Sequence, residues 1–453
     1  MPARLIESLA TTGPLAEVFS DLSFLQAMLD FEAALARAEA RVGIVPPTAA
    51  AAIRKVAHAG EFDSGKLAEE TLRAGTPGIP LVKALTGRVR AKDEDAARYV
   101  HWGATSQDVA DTALVLLLKR AQPLLKTDLS RLERALKKLS QEHKDTVMLG
   151  RTLLQPAPPV TLGLKAAGWF AAVYRSREHL DSAFSGALVL QFGGASGTLA
   201  SLGKRGAEVA RELAAELKLD CPEAPWHSHR DRLAGLLCAC GVLTGSLGKM
   251  ARDISLLMQN EVAEAAEPGG QGRGGSSTMP HKRNPIACAL TLAAAQRVPG
   301  LVASLLSGMV QEHERGVGGW QAEWPTVAAV IQATGLAAAS MAEVAEGLSV
   351  DKARMRANIA NTNGVIFAER AAVMLAAKLG RDAAHEVLQE ATRKSVKQKQ
   401  RLAEVLARMP EVAGQLDRAQ LRELEDPEQY LGSAEAFRKA LLSAPSKTKK
   451  KEQ

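Results

Sequence analysis

Apolar residues recur along this chain mainly with the 3.6-residue period of helices, not the two-residue period of strands. Between residues 24 and 40, Leu25, Met28, Leu29, Phe31, Leu35 and Ala38 build one apolar face, with Asp30, Glu32, Arg37 and Glu39 between them. Gly43 and Pro46 stop that helix, and a second helix is predicted over 48–59. The run Gly75-Thr76-Pro77-Gly78-Ile79-Pro80 reads as a rigid loop, because two prolines and two glycines in six residues do not continue a helix.

Three long helical patterns follow. The first covers 107–144, with a kink predicted at Pro123. The second covers 159–184, after the proline-rich Gln155-Pro156-Ala157-Pro158-Pro159. The third covers 230–266 and carries Leu233, Leu236, Leu237, Val242, Leu243, Leu247, Met250, Ile254, Leu257 and Met258. Helices of this length need a bundle, and often another subunit, to bury their apolar stripes. Further helices are predicted over 284–308, where Asn284 can N-cap and Pro285 suits the first turn, and over 326–348. Shorter ones follow at 352–361, 366–379, 381–397 and 402–409. No strand-rich region, repeat or long linker stands out. The expected fold is all-α, with an N-terminal helical domain over 1–105, a central long-helix bundle over 106–348, a C-terminal helical domain over 349–442 and a disordered basic tail over 443–453.

Composition agrees with close helix packing: 46% of the 453 residues are hydrophobic, yet only 4% are aromatic. The net charge of +7 is concentrated in the tail, where Lys447, Lys449, Lys450 and Lys451 stand against Glu452, leaving about +4 on the body. That is a weak footprint for nucleic acid, and no nucleic-acid motif accompanies it; a mild basic excess also suits a small polyanionic substrate. Cys221, Cys238, Cys240 and Cys288 form no CxxC pair and read as buried free thiols of a reducing cytoplasm. Met1-Pro2-Ala3-Arg4 opens no signal-peptide pattern, and no apolar run is long enough to span a membrane. His227 and His229, with Asp231 nearby, have a spacing that suits no helical metal-ligand pair, so no metal site is assigned.

The strongest chemical signal is the segment from Glu267 to Pro285. Five of the seven residues 269–275 are glycine, so the backbone there meets little steric resistance to large movement. A phosphate loop would require a lysine where Ser276 stands, and no strand precedes the segment. A plain linker would not account for the dense Met279-Pro280-His281-Lys282-Arg283-Asn284-Pro285.

Gly275-Ser276-Ser277-Thr278-Met279-Pro280-His281-Lys282-Arg283-Asn284-Pro285 resembles GSSxMPxKxNP, the signature of the fumarase/aspartase superfamily. His101-Trp102-Gly103-Ala104-Thr105-Ser106-Gln107-Asp108 resembles its first signature region, and Gly150-Arg151-Thr152-Leu153-Leu154-Gln155-Pro156-Ala157 its second. Order and spacing fit, over roughly residues 10–440. Within the superfamily, residues 28–39, 103–108 and 111–114, Pro225-Trp226-His227-Ser228-His229-Arg230-Asp231-Arg232, Glu312-His313-Glu314-Arg315 and Gly318-Gly319-Trp320 are similar to the bacterial cycloisomerases that lactonise 3-carboxymuconate. Many superfamily lyases, the adenylosuccinate and argininosuccinate lyases among them, carry an acid–base histidine where this chain has Leu153. A leucine transfers no proton, and the cycloisomerases also lack that histidine. A fumarate-releasing lyase of the adenylosuccinate or argininosuccinate type is the alternative, and a non-catalytic helical scaffold is opposed by Ser276, Lys282 and Asn284.

The resemblance implies an intramolecular carboxylate addition with Ser276 as proton carrier. A serine needs its alkoxide stabilised to act so, and loop N–H groups and Lys282 are the candidates. Lys282 and Asn284 also suit a substrate carboxylate, and loop closure would exclude water. Thr105 and Ser106, just before a helix, are candidate carboxylate contacts, with plain N-capping as their structural alternative. Thr152 and Gln155 are assigned to substrate by resemblance. His101 is a structural or substrate contact, and Arg315 a bidentate carboxylate clamp or a surface ion pair. The resemblance further implies no metal or cofactor, a tricarboxylate substrate and a cytoplasmic homotetramer whose active sites draw on three subunits, with neither nucleic acid nor membrane as partner.

Overall fold

The computed structural model describes residues 5–270, 274–275, 278–279 and 282–443. Its helices in chain order are α1 Gly13–Val18, α2 Asp21–Val42, α3 Pro47–Val56, α4 Ser64–Ala74, α5 Gly78–Arg90 and α6 Ser106–Glu142. Strands β1 Val147–Thr152 and β2 Gln155–Thr161 lead into α7 Leu162–Ala187, α8 Gly206–Leu217 and α9 Asp231–Leu257. Strand β3 Ala265–Ala266, α10 Ile286–Ser307, α11 Gly319–Gly347 and β4 Ser349–Val350 follow. The chain closes with α12 Lys352–Ala360, α13 Ala368–Leu379, α14 Arg381–Gln398, α15 Leu402–Ala407, α16 Arg418–Leu424 and α17 Ala434–Leu442. The fold is all-α, as the periodicity predicts.

Two compact units divide it. One holds 5–130, 175–248 and 289–340; the other holds 131–174, 249–288 and 341–443 apart from the undescribed residues. In the first unit, α2 packs on α3 and α8. Ser20 caps α2 by accepting the Ser23 N–H, and Gly43, at φ 79°, ends it in the left-handed conformation that glycine adopts without penalty. The apolar stripe of α2 is wider than the sequence suggests. Glu32 and Glu39, placed between apolar positions by the pattern, are 1% and 0% exposed. In the second unit, Phe367, Leu375, Leu388, Leu402, Leu406 and Leu424 join the buried face of β1 in one core.

Several boundaries differ from the sequence expectation, each for a local reason. Helix α5 starts at Gly78, inside the expected loop, since Pro80 in a first turn removes an N–H that has no intrahelical acceptor. Helix α6 continues through Pro123. The proline-rich segment is strand β2, paired antiparallel with β1, and it delays the helix expected from 159 to Leu162. Prolines are tolerated there because β2 is an edge strand with one partner. Gly150 is obligatory in that hairpin: a Cβ would lie 2.2 Å from the Pro158 carbonyl oxygen. Helix α9 stops at Leu257, and Ala265–Ala266 pairs with β4 instead of extending it. Helix α11 begins at Gly319, so Trp320, Trp324 and Pro325 are helical.

The expectation about membrane-length segments is also corrected. Three helices, α9, α10 and α11, are long and apolar enough to cross a membrane by length and composition, each with a mean hydropathy of 1.5 over 18 residues. Alanine, glycine, serine and threonine dilute the larger residues, so a contiguous-run criterion misses them. Those windows are 56%, 28% and 67% buried within the chain, α10 least. Cys240 and Cys288 are buried, as expected; Cys238 is partly buried and Cys221 is exposed.

Candidate active site

The N-terminus of α6 gathers the densest polar network of the first unit. Asp108, fully buried, reaches back to accept the Thr105 N–H at 3.0 Å, the return half of a capping box. Its Oδ1 also accepts from His227 Nε2 (2.7 Å), Gln191 Nε2 (3.1 Å) and the Gly193 N–H (3.0 Å), while Oδ2 takes the Gly194 N–H (2.9 Å). Five donors on one carboxylate compensate its desolvation. They also fix the 193–194 backbone, where a Cβ on Gly193 would lie 2.7 Å from Pro225 and 2.8 Å from His227. Asp108 thus satisfies the Thr105 N–H, and the Thr105 hydroxyl has another partner.

It accepts from Arg315. Nη1 of Arg315 lies 2.8 Å from Thr105 Oγ1, Nη2 lies 3.5 Å from Ser106 Oγ, and Nε lies 3.3 Å from Gln107 Oε1. Arg315, Thr105 and Ser106 are all partly exposed, so a guanidinium, two hydroxyls and a helix N-terminus converge where solvent still reaches. Arg315 makes no surface ion pair among the described residues.

Beneath this surface, Gln107 Nε2 bonds the His227 carbonyl (2.8 Å) and Asp111 (3.2 Å). Asp111 is the bidentate partner of Arg230, at 2.8 and 3.0 Å. Arg230 is 1% exposed, also bonds Glu323 at 2.6 to 3.0 Å, and lies 4.6 Å from the centre of the Trp226 ring. Trp320 Nε1 donates to Asp111 at 2.9 Å. Burial alone would lower the Arg230 pKa, but Asp111 and Glu323 more than offset it and keep the guanidinium charged. Sequence reading assigned no role in this network to Asp108, Asp111, His227, Arg230 or Glu323; the first four lie in stretches quoted for their likeness, 103–108, 111–114 and 225–232, while no signal pointed to Glu323.

His101 stands at φ 60°, a left-handed conformation costly for a non-glycine residue. Its Nδ1 is 2.6 Å from Glu32 Oε1.

Thr152, Gln155, Lys282 and Asn284 belong to the second unit. Thr152 and Gln155 pair across the β1–β2 hairpin, on either side of Leu153 and Leu154. Those two leucines have φ of 50° and 65° and are 97% and 77% exposed. A two-residue turn with both φ positive ordinarily takes Asn-Gly, which is why the sequence did not announce this hairpin. Arg151 anchors it through a bidentate pair with the buried Glu264, at 2.7 and 3.0 Å, and Asn358 donates to the same carboxylate at 2.8 Å.

Lys282 is exposed, with its N–H on the Met279 carbonyl at 3.1 Å. The Asn284 N–H donates to the Gly274 carbonyl at 2.9 Å. The expected Asn284 cap is corrected: helix α10 starts at Ile286, and Glu267 accepts its Ala287 and Cys288 N–H groups at 3.1 and 2.7 Å. A carboxylate there satisfies two orphan donors and faces the positive end of the helix dipole. Ser276, the expected proton carrier, lies outside the described residues. Among the described residues, no group of three or more histidine, cysteine, aspartate and glutamate side chains is arranged to hold a metal ion.

Comparison with known proteins gives this geometry its setting. A family model described as "Lyase" matches residues 8–300, and one described as "Adenylosuccinate lyase C-terminus" matches 364–441. The chain is 48% identical to a 3-carboxy-cis,cis-muconate cycloisomerase of Bradyrhizobium diazoefficiens, over 97% of this chain and 98% of that one. It is 50% identical to the protein of the same name from Pseudomonas aeruginosa, over 96% and 95%. A crystal structure of the 3-carboxy-cis,cis-muconate lactonizing enzyme from Pseudomonas putida superposes with a TM-score of 0.92 at 46% identity, covering 97% of this chain and 98% of that one. Matched by the family model over more than half its length and by these relatives over nearly all of it, the chain belongs to the lyase family of the fumarase/aspartase superfamily.

Proposed function

We propose that this protein is a cycloisomerase that converts 3-carboxy-cis,cis-muconate to a carboxymuconolactone in aromatic catabolism. The observation that carries the reading is the near-full-length identity of 48% and 50% to two relatives of that activity. Leu153 agrees with it: the residue between Thr152 and Leu154 on the hairpin turn transfers no proton, which suits a carboxylate addition better than release of an amine.

In the reaction, one substrate carboxylate oxygen forms a C–O bond to the conjugated double bond, and the adjacent carbon takes a proton. Ser276 gives that proton, and the resulting alkoxide is stabilised by Lys282 and recovers a proton from solvent. Arg315, with the Thr105 and Ser106 hydroxyls at the α6 N-terminus, holds a second carboxylate, for which a guanidinium offers a bidentate fork. His101, Thr152, Gln155 and Asn284 complete the contacts to a tricarboxylate. The scheme calls on no metal and no cofactor.

A cytoplasmic homotetramer with shared sites completes the proposal, with domains over 1–105, 106–348 and 349–442. Two features support a second copy of the chain as partner: only 28% of the apolar window of α10 is buried within the chain, and Leu153 and Leu154 are exposed.

The test is a substrate panel in EDTA, followed by ultraviolet absorbance: 3-carboxy-cis,cis-muconate, cis,cis-muconate, adenylosuccinate, argininosuccinate and fumarate. Rapid loss of the diene signal with the first substrate alone is the expected result, and Ser276→Ala abolishes it while the oligomer stays intact. Fumarate released from a succinyl-amine, with no diene loss, would overturn the reading in favour of the lyase.

A further inference from the structure

The i, i+3, i+4, i+7 stripe of α2 runs Leu25, Met28, Leu29, Glu32, Leu35, Ala36, Glu39, and every member is buried. Burying a carboxylate in such a stripe is unfavourable unless a partner compensates it. An apolar residue at position 32 would serve packing alone. Glu32 has one partner among the described residues, His101, whose Nδ1 sits 2.6 Å from Oε1; its other oxygen, Oε2, is buried without one. The His101 backbone lies in the left-handed region, at φ 60°, and Gly103 follows at φ 72°. With Nδ1 engaged, only Nε2 remains to face outward. Among the described residues Nε2 has no partner, and His101 is partly exposed. Thr105 and Ser106 follow in the same short segment.

We propose that Glu32 is a positioning residue: it fixes the His101 ring through Nδ1, so that Nε2–H meets a substrate carboxylate beside Arg315. This rests on the tricarboxylate site proposed above and adds a buried residue that touches no substrate. Glu32 from α2 and Asp108 from α6 are the charges that reach His101. Burial opposes the charged ring, but Glu32, by charge and hydrogen bond, and then Asp108 outweigh it and hold the His101 pKa above its ordinary 6.5. Glu39, further along the same stripe, is itself pushed up to about 9 by burial and by Glu32, so it is neutral at pH 7.

The experiment is calorimetric titration of the purified protein with propane-1,2,3-tricarboxylate at pH 7, in buffers of different ionisation enthalpy, which counts protons taken up on binding. Wild type, Glu32→Gln and His101→Asn are compared, with circular dichroism confirming that each is folded. Glu32→Gln is expected to take up more protons than wild type and to bind about tenfold more weakly, the loss of one charge-assisted hydrogen bond. His101→Asn, with nothing to protonate, takes up fewest. Weaker binding by Glu32→Gln with unchanged proton uptake would make Glu32 merely structural and overturn the proposal. Binding and uptake equal to wild type would overturn it as well. No binding by wild type would overturn the tricarboxylate site itself, and this role of Glu32 with it.

Discussion

Glu39→Gln tests the reading of α2 by stability rather than by activity. Glu39 is 0% exposed, and neither carboxylate oxygen has a hydrogen-bond partner among the described residues. Burial, reinforced by the charge of Glu32, moves its pKa from 4.5 to about 9. The native state therefore keeps the proton across a range in which the unfolded chain has released it. By linkage, stability is fully present below pH 4.5 and is lost as pH rises toward 9. Each pH unit in that window removes roughly 1 kcal/mol, so wild type should lose on the order of 3 kcal/mol between pH 6 and pH 8 through this group alone. Glutamine has nearly the same shape and does not titrate. At pH 6 the two proteins should differ little, since a buried amide and a buried protonated carboxyl are both poorly partnered there. At pH 8 the variant should be the more stable. Urea unfolding followed by circular dichroism, at one protein concentration and both pH values, measures the difference directly. Parallel pH dependences for wild type and Glu39→Gln would refute the reasoning and require a partner for Glu39 outside the described residues.

Two further substitutions probe each compact unit separately. Arg315→Lys keeps the charge but loses the planar fork that reaches Thr105, Ser106 and Gln107; KM for 3-carboxy-cis,cis-muconate should rise about tenfold, with kcat less affected, and an unchanged KM in initial-rate assays would remove Arg315 from the binding site. Glu267→Gln keeps an acceptor for only one of the Ala287 and Cys288 N–H groups, sets an amide NH2 against the other, and removes the charge at the α10 N-terminus. It should lower stability by about 1 kcal/mol at pH 7, and an unaltered urea midpoint would mean that this helix end needs no carboxylate.

The existence of α2, α9, α10 and α14, and the all-α class with them, could be read from apolar periodicity, because a helix is specified by neighbours three and four residues apart. The GSSTMPHKRNP segment and the regions around Thr105 and Thr152 were equally legible, since each is contiguous in the chain. The misses share a different cause. Glu32 was assigned to the polar side of α2, yet it is buried against His101, 69 residues away. Asp108 meets His227 across 119 residues, and Arg230 meets Glu323 across 93. Glu267 caps a helix that Asn284 was expected to cap, from 20 residues upstream. The proline-rich residues 155–159 carry no strand pattern, yet they form a strand because β1 lies alongside. What the sequence determined by itself was the set of helices and the chemical types at the signature regions, both of which are local properties. Which carboxylate meets which cation, which N–H groups a side chain satisfies and which faces are dry depend on contacts between distant segments, and only the tertiary structure decided those.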